Sequence, residues 1–278
     1  MHILLAGCGW LGTAVAERLL ARGDRVTGIR ADPERAEGLR ALGIEPLPLD
    51  LADPAAAERI PRGVQAILAL QSARDGSPEA YRRAYLQANA TLLAAARRLD
   101  LKALVHSGST GVFTRSDGSE VDEATPPDAG TGTSRVLAEA ERLLLGAGLP
   151  VRIVRLSGLY GPGRTGLIGR VRSGAMALGP GDSAWMNFCH RDDAAAALIA
   201  TLDAGRDGAV YHASDALPMR RREVVEQVAA RLGIPPPVAA EAPAWAGPDR
   251  RVSGRRTRAE LGLELRWPSL LEGLEPFF

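Results

Sequence analysis

The sequence contains few cysteines and a single lysine. Its two cysteines, Cys8 and Cys189, are too few and too far apart along the chain to predict a disulfide framework. Lys102 is the sole lysine among 34 basic residues. We attribute this bias toward arginine to genomic base composition and not to function.

The sequence also lacks a long hydrophobic run. No apolar stretch approaches the roughly 18 residues that a membrane-spanning helix needs. The apolar run at the N-terminus passes directly into a glycine turn, which is not the form of a signal peptide. We therefore expect a soluble, cytoplasmic protein.

The sequence also lacks a clear excess of positive or negative charge. The chain carries 34 Lys and Arg against 33 Asp and Glu, for a formal net charge of +1. Such a balance gives no reason to expect nucleic acid or a membrane as a partner. We expect a small-molecule substrate instead, no metal site, and an oligomeric state that stays open, with a homodimer as one arrangement.

A glycine-rich turn near the N-terminus organises the rest of the chain. The apolar run that starts at His2 leads into Gly7-x-Gly9-x-x-Gly12, and a helical pattern follows. In this arrangement the first glycine permits a tight turn, the second lets the backbone approach a pyrophosphate, and the third lets helix and strand pack closely. The start of the helix then presents N–H groups and a partial positive charge to phosphates. The pattern predicts a dinucleotide site at Gly7, Gly9, Gly12 and the backbone of Trp10 and Leu11.

Strand and helix patterns alternate over most of the chain. We predict helices over Pro33–Leu42 and from about Pro78 to Leu99, among others. Seven short apolar runs are predicted to be strands: His2–Ala6, Arg25–Ile29, Ile44–Leu49, Gln65–Leu70, Ala103–Ser107, Val151–Leu156 and Ala209–His212. Because these runs are mainly apolar and do not alternate with a period of two, they predict an α/β fold, a doubly wound parallel (Rossmann) sheet covered on both faces.

The pattern changes after Ser157, where glycine and proline become frequent. We expect residues 1–157 and 187–214 to form the dinucleotide-binding domain. Residues 158–186 and 215–278 should form a smaller substrate-side domain, because neither piece could bury a core alone.

Four landmarks in this order resemble those of the extended short-chain dehydrogenase/reductase family, also called the NAD-dependent epimerase/dehydratase family. The chain is most similar to its atypical, YeeZ-like group, which shares the Gly-Trp-Leu-Gly turn. The landmarks are Gly7-Cys8-Gly9-Trp10-Leu11-Gly12, Ser107-Gly108-Ser109-Thr110-Gly111-Val112-Phe113, Leu159-Tyr160-Gly161-Pro162-Gly163-Arg164 and Asn187-Phe188-Cys189-His190-Arg191-Asp192-Asp193.

The resemblance implies a catalytic Tyr-x-x-x-Lys pair, and this chain departs from it. The matching positions hold Thr131 and Arg135. Threonine is not a proton shuttle of comparable acidity, and the planar guanidinium does not reproduce an ammonium. Family members that act on nucleotide sugars often carry Asn where this chain has Gly158, which weakens a nucleotide-sugar substrate.

Ser109 matches the catalytic serine of the family. It would hydrogen-bond a substrate oxygen near the nicotinamide, or it is a turn serine in a Ser/Gly/Thr cluster. Tyr160 and His190 are substrate-side candidates for a displaced proton donor. Each also has a structural interpretation, since Tyr160 is predicted to lie in a turn and His190 to begin a helix.

The remaining cofactor contacts are predicted for residues at the ends of the third and fourth predicted strands. Asp50 and Leu51 are expected to contact the adenine, and Leu70 with Gln71 the adenosine ribose side. Core packing is the alternative for both leucines.

The cofactor preference is predicted from the end of the second strand. Arg30 stands there, where NAD-selective folds place an acidic residue, and a guanidinium suits the 2′-phosphate of NADP. Asp32 is the rival ribose ligand, which would favour NAD. Because Pro33 follows it, a helix-capping role is an alternative for Asp32, and a solvated surface charge is the alternative for Arg30.

Two functions from different classes remain. One is an NAD(P)-dependent oxidoreductase or epimerase-like enzyme with a rearranged acid/base. The other is a non-catalytic dinucleotide-binding sensor or interaction module.

Overall fold

The fold was obtained as a computed structural model, which describes residues 1–128, 130–179, 182–239 and 247–278. The strands are β1 His2–Ala6, β2 Arg25–Arg30, β3 Glu45–Pro48, β4 Ala66–Ala69, β5 Ala103–Ser109, β6 Ser116–Val121, β7 Val151–Leu156, β8 Gly158–Tyr160, β9 Trp185–Met186, β10 Phe188–His190, β11 Val210–Ala213, β12 Met219–Arg220 and β13 Asp249–Val252.

The α-helices are α1 Trp10–Ala21, α2 Pro33–Glu37, α3 Ala56–Arg59, α4 Pro78–Tyr81, α5 Ala88–Ala96, α6 Gly132–Leu145, α7 Gly166–Arg172, α8 Arg191–Ala204, α9 Arg221–Arg231, α10 Arg255–Leu261 and α11 Leu270–Leu274. A π helix, Arg82–Gln87, connects α4 to α5. Among the described residues, no helix is long and apolar enough to cross a membrane.

A seven-stranded sheet has the order β11-β7-β5-β4-β1-β2-β3. β1 pairs in parallel with β2 on one side and with β4 on the other, and the β2–β3 and β4–β5 pairs are also parallel. The predicted doubly wound α/β fold is therefore confirmed. The order reverses at β1, and in such sheets ligands bind at the carboxyl ends of the strands beside this point.

Two compact units make up the chain. The first comprises Met1–Val112, Ala129–Arg155 and Ala195–Tyr211. Its core is built from buried aliphatic side chains of the sheet and its helices, such as Leu4, Ile67 and Leu92, each 0% exposed. β4, near the centre of the sheet, is apolar and buried along its whole length because the core covers it on both faces.

The second unit comprises Phe113–Asp128, Leu156–Ala194 and His212–Phe278. It contains three two-stranded pairs, β6–β13 and β8–β10 in parallel and β9–β12 antiparallel. Helices α7, α9 and α11 contribute its apolar core. The domain limits expected from the sequence, 1–157 with 187–214 and 158–186 with 215–278, stay a prediction.

Four local predictions need correction. The helix expected over Pro33–Leu42 is α2 followed by a 3-10 turn, and the one expected from Pro78 is interrupted by the π helix and ends at Ala96. Tyr160 does not lie in a turn but ends β8, and His190 ends β10 immediately before α8. Both are strand residues because the short β8 and β10 pair directly, with His190 opposite Tyr160.

Candidate functional site

The glycine turn between β1 and α1 has three glycines with different constraints. Gly7 has φ of +88°, and a Cβ there would lie 2.5 Å from both Cα and N of Gln71. A Cβ at Gly12 would lie 3.1 Å from the Gly7 carbonyl oxygen. The nearest atom to a Cβ at Gly9 would be 4.0 Å away. The fold itself thus favours glycine at position 7 and packs closely at Gly12, while the space for a Cβ at Gly9 is open. Contact of this turn with a pyrophosphate stays a prediction.

Helix α1 starts at this turn. Gly9 is its N-cap residue, and the first helical hydrogen bond joins the Thr13 N–H to the Gly9 carbonyl at 2.8 Å. None of the described side chains caps this helix, and its first turn contains no acidic residue. The positive end of the helix dipole therefore meets the turn at Trp10 and Leu11 without a competing carboxylate, an arrangement that suits an anion.

Arg30 is the last residue of β2, and its guanidinium is hydrogen-bonded to the glycine turn. Its Nε donates to the Cys8 carbonyl oxygen at 2.6 Å. Nearby, the Asp32 carboxylate accepts the Arg35 N–H at 2.8 Å and caps α2. Asp32 thus has the capping contact that was its alternative role, and Arg30 contacts the glycine turn through its Nε.

The other predicted cofactor residues lie at the ends of β3 and β4. The Asp50 carboxylate pairs with Arg83 and also accepts the Ala52 N–H at 3.0 Å. Leu51 and Leu70 are buried, 6% and 7% exposed. Gln71 follows Leu70 directly, and its backbone lies close to Gly7 of the glycine turn. Contact of these residues with adenine or ribose stays a prediction.

Ser109 ends β5. Its Oγ accepts the Gly111 N–H at 3.0 Å, which is the turn contact expected under its structural interpretation. The hydroxyl proton of Ser109 has no described acceptor, so the same group can still donate to a ligand.

Thr131 and Arg135 lie at the start of α6. Thr131 is the N-cap residue, and its carbonyl oxygen accepts the Ser134 hydroxyl at 2.9 Å. The Arg135 side chain is 69% exposed, and its Nε lies 3.0 Å from a carboxylate oxygen of Glu139. Its guanidinium is therefore engaged along the helix surface.

A buried ion pair near β5 was missed by the sequence analysis. Arg155 donates from Nε and Nη2 to the two carboxylate oxygens of Glu141, each at 2.8 Å, and their side chains are 3% and 5% exposed. A Cβ at Gly108 would lie 3.5 Å from Glu141 Oε1. The available signal was Arg155, one of the two arginines in the strand Val151–Leu156.

In the second unit, Tyr160 is held by its surroundings. Its hydroxyl donates to the Ser269 carbonyl oxygen at 3.1 Å, and its ring leaves no room for a Cβ at Gly273. Burial, with a smaller contribution from the Asp215 carboxylate, raises the pKa of Tyr160 well above its usual value of 10. A substrate role for Tyr160 stays a prediction.

His190 packs between two aromatic rings. Its ring centroid lies 5.2 Å from that of Tyr160 and 5.1 Å from that of Trp267. Its Nδ1 accepts the Asp192 N–H at 3.2 Å, which leaves the proton of the neutral ring on Nε2. Burial lowers the pKa of His190, although the neighbouring carboxylates of Asp192 and Asp193 oppose that effect. Its substrate role also stays a prediction.

Asp215 is an unusual buried acid of the same unit. It is 3% exposed, and neither carboxylate oxygen has a hydrogen-bond partner among the described residues. Burial raises its pKa to about 7, against smaller opposing effects of the nearby Phe188 backbone and the Arg258 guanidinium. By contrast, the Asp193 carboxylate accepts two backbone N–H groups, from Arg266 at 2.9 Å and Trp267 at 3.0 Å.

Comparison with known proteins gives one family. The model of the NAD dependent epimerase/dehydratase family matches residues 3–214. The chain is 30% identical to Protein YeeZ of Escherichia coli (strain K12), over 97% of each chain. It is also 30% identical to a 3-diazoavenalumate denitrifying reductase of Streptomyces sp, over 99% of each. Among solved structures, dTDP-glucose 4,6-dehydratase from Streptomyces venezuelae, solved with NAD bound, superimposes with a TM-score of 0.84 over 99% of this chain and 95% of that chain. At 21% identity this likeness shows the fold alone.

Proposed function

Because the chain belongs to the NAD dependent epimerase/dehydratase family, we propose that it is an NADP-dependent oxidoreductase that reduces a small organic molecule. The observation that carries the proposal is the glycine turn, where the space above Gly9 is open and the Arg30 guanidinium lies beside Cys8. The relative named as a reductase, which is matched over 99% of both chains, supports reduction as the direction of the chemistry.

The residues of the first unit have distinct parts in holding the dinucleotide. The glycine turn and the start of α1 bind the pyrophosphate through backbone N–H groups. Arg30 binds the 2′-phosphate with its terminal nitrogens, because its Nε is already used by the Cys8 carbonyl. Asp32 does not oppose this assignment, since its carboxylate caps α2.

When bound, NADPH would supply the hydride for a two-electron reduction. Ser109 orients the substrate by donating its hydroxyl proton in a hydrogen bond to the oxygen that gains electron density. The Gly111 N–H holds the Ser109 oxygen for this purpose. We propose that the proton added to the product comes from solvent water, and that Ser109 contributes a hydrogen bond only.

The proton path differs from that of the wider family, because a Tyr-x-x-x-Lys pair is absent from the sequence. Lys102 is the only lysine, and Arg98 stands four residues before it. Arg135 does not replace the lysine, since its guanidinium pairs with Glu139 at the surface.

The alternative is a dinucleotide-binding module without turnover. The observation that favours it is the Ser109 Oγ, which already has a turn contact with Gly111. The two functions differ in one respect that can be measured, which is whether bound NADPH is ever oxidised.

The test is NADPH fluorescence with a panel of aldehydes, ketones and sugar nucleotides. Binding followed by substrate-dependent loss of the NADPH signal is the expected result. Binding with no oxidation across the panel would favour the module, and no binding of any dinucleotide would contradict both.

A further inference from the structure

Two residues of α6 contact the turn that contains Ser109. Leu137 and Glu141 lie four positions apart, so they share one face of the helix. A Cβ at Gly108 would lie 3.5 Å from Glu141 Oε1, and a Cβ at Gly111 would lie 3.3 Å from Leu137 Cδ1. Ser109 thus belongs to a short segment whose two ends both pack against α6.

A buried ion pair fixes the Glu141 end of this helix face. Arg155, in β7, donates from Nε and Nη2 to the two carboxylate oxygens of Glu141, each at 2.8 Å. The two side chains are almost fully buried, so solvent ions screen their attraction little. Because both bonds of the fork must form together, the pair defines the position of α6 relative to β7.

Stability alone does not account for this ion pair. The free energy lost when two charges leave water can exceed what their attraction returns, and apolar pairs of similar volume are often as stable. What the ion pair adds to an apolar contact is a defined geometry. That geometry includes the backbone of Gly108, since a Cβ there would also lie 3.3 Å from Ile153 Cγ2 and 3.8 Å from Arg155 Cγ.

We propose that Glu141 and Arg155 are positioning residues for Ser109. Their ion pair holds α6 beside Gly108, and this contact keeps Ser109 Oγ where it accepts the Gly111 N–H at 3.0 Å. The Ser109 proton is then directed to a substrate oxygen, while neither charged residue touches the substrate. The catalytic consequence rests on the proposed function, whereas the position of Ser109 can be measured without a substrate.

Two backbone amides report on this position by hydrogen exchange, followed by NMR on the 15N-labelled protein. The Gly111 N–H is bonded to Ser109 Oγ, so its exchange rate rises when Ser109 moves away. The Leu104 N–H, in the same strand β5 as Ser109, donates to the Pro150 carbonyl oxygen at 2.8 Å. Its exchange rate rises only when the sheet itself opens.

The main variant replaces both charged residues, as Glu141→Met with Arg155→Met, because an apolar pair leaves no unpaired buried charge. Ser109→Ala gives the Gly111 rate without its acceptor. We expect the Gly111 N–H to exchange about fivefold faster or more in both variants, as for one lost hydrogen bond, with the Leu104 rate little changed. A Gly111 rate that rises no more than the Leu104 rate in either variant would overturn the inference.

Arg152 provides a matched control, because it lies in the same strand as Arg155 and pairs with Asp207 at 3.1 Å. Arg152→Met should leave the Gly111 rate unchanged relative to that of Leu104. If the double methionine variant does not fold, Arg155→Lys replaces it. Lysine keeps the charge and loses the fork, so the Gly111 rate should still rise more than the Leu104 rate.

Activity separates this inference from the proposed function. With a substrate found in the panel, the double methionine variant should lower kcat by about tenfold or more and leave the Kd of NADPH unchanged. Adding Ser109→Ala should then cost nothing further. An unchanged kcat, or additive losses, would overturn the inference alone. A parent protein that binds NADPH and oxidises it with no substrate contradicts the proposed function, and the exchange rates still decide whether Glu141 and Arg155 position Ser109.

Discussion

Arg30 Nε donates to the carbonyl oxygen of Cys8 at 2.6 Å, and this bond joins the end of β2 to the glycine turn. The bond uses Nε, so the two terminal nitrogens of the guanidinium take no part in it. An arginine held in this way has lost part of its side-chain entropy before any ligand arrives. A phosphate ligand for Arg30, as against a solvated surface charge, stays a prediction.

The glycine turn gives the first prediction. Gly9→Val should abolish dinucleotide binding and change the free energy of unfolding by less than about 1 kcal/mol, because the site of its Cβ is open. Binding is measured by NADPH titration and stability by urea unfolding. Gly7→Ala is the contrast, since its Cβ would overlap the Gln71 backbone and the protein should lose stability. Unchanged affinity in Gly9→Val would remove the basis of the dinucleotide site.

The second prediction concerns Ser109. Once a substrate is identified, Ser109→Ala should lower kcat by about tenfold or more and leave the Kd of NADPH unchanged, because only the reacting oxygen loses a donor. Ser107→Ala is the control, since the Ser107 hydroxyl donates to the Ala69 carbonyl oxygen within the sheet. Full activity in Ser109→Ala would leave Ser109 with its turn contact to Gly111 as its only role.

The third prediction is a pH dependence of stability from Asp215. Burial raises its pKa from 3.8 to about 7 in the folded protein, so the folded state retains a proton that the unfolded state releases. Stability therefore falls as the pH rises from about 4 to about 7 and then levels off. Asp215→Asn should remove this loss and stabilise the protein above pH 7, by at most about 4 kcal/mol at 1.4 kcal/mol per pKa unit.

Urea unfolding at pH 5 and pH 8 measures this effect. The gain for Asp215→Asn should be larger at pH 8. Asp193→Asn should instead destabilise the protein, because the Asp193 carboxylate accepts two backbone N–H groups. An equal change for Asp215→Asn at both pH values would show that the carboxyl group does not titrate in this range.

Much of the first unit could be predicted from sequence, because the patterns that indicate its strands and its glycine turn each lie within a short segment of the chain. Most strands of the seven-stranded sheet are short segments rich in apolar residues, and the glycine turn has a fixed spacing. The β6–β13 pair could not be predicted in this way. β6 reads Ser-Asp-Gly-Ser-Glu-Val with no apolar alternation, and its partner begins at Asp249, far along the chain.

The contacts around the candidate site were also beyond sequence reasoning. The π helix is defined by its backbone hydrogen bonds, whereas the sequence around it predicts one continuous α-helix. No residue type indicates where the π helix lies. That Arg30 bonds to Cys8, and that Glu141 pairs with Arg155, follows only from the packing of separate elements.

The measurement that tests the central claim most directly is a parallel titration of the parent protein and Arg30→Ala with NADPH and NADH. We predict tighter binding of NADPH by the parent. We also predict a loss of about 10- to 100-fold in NADPH affinity for Arg30→Ala, as expected for a charge-assisted hydrogen bond of 1.5–3 kcal/mol, with NADH affinity little changed. Tighter binding of NADH by the parent, or an NADPH affinity that the substitution does not alter, would contradict the proposal that this protein uses NADP and binds its 2′-phosphate through Arg30.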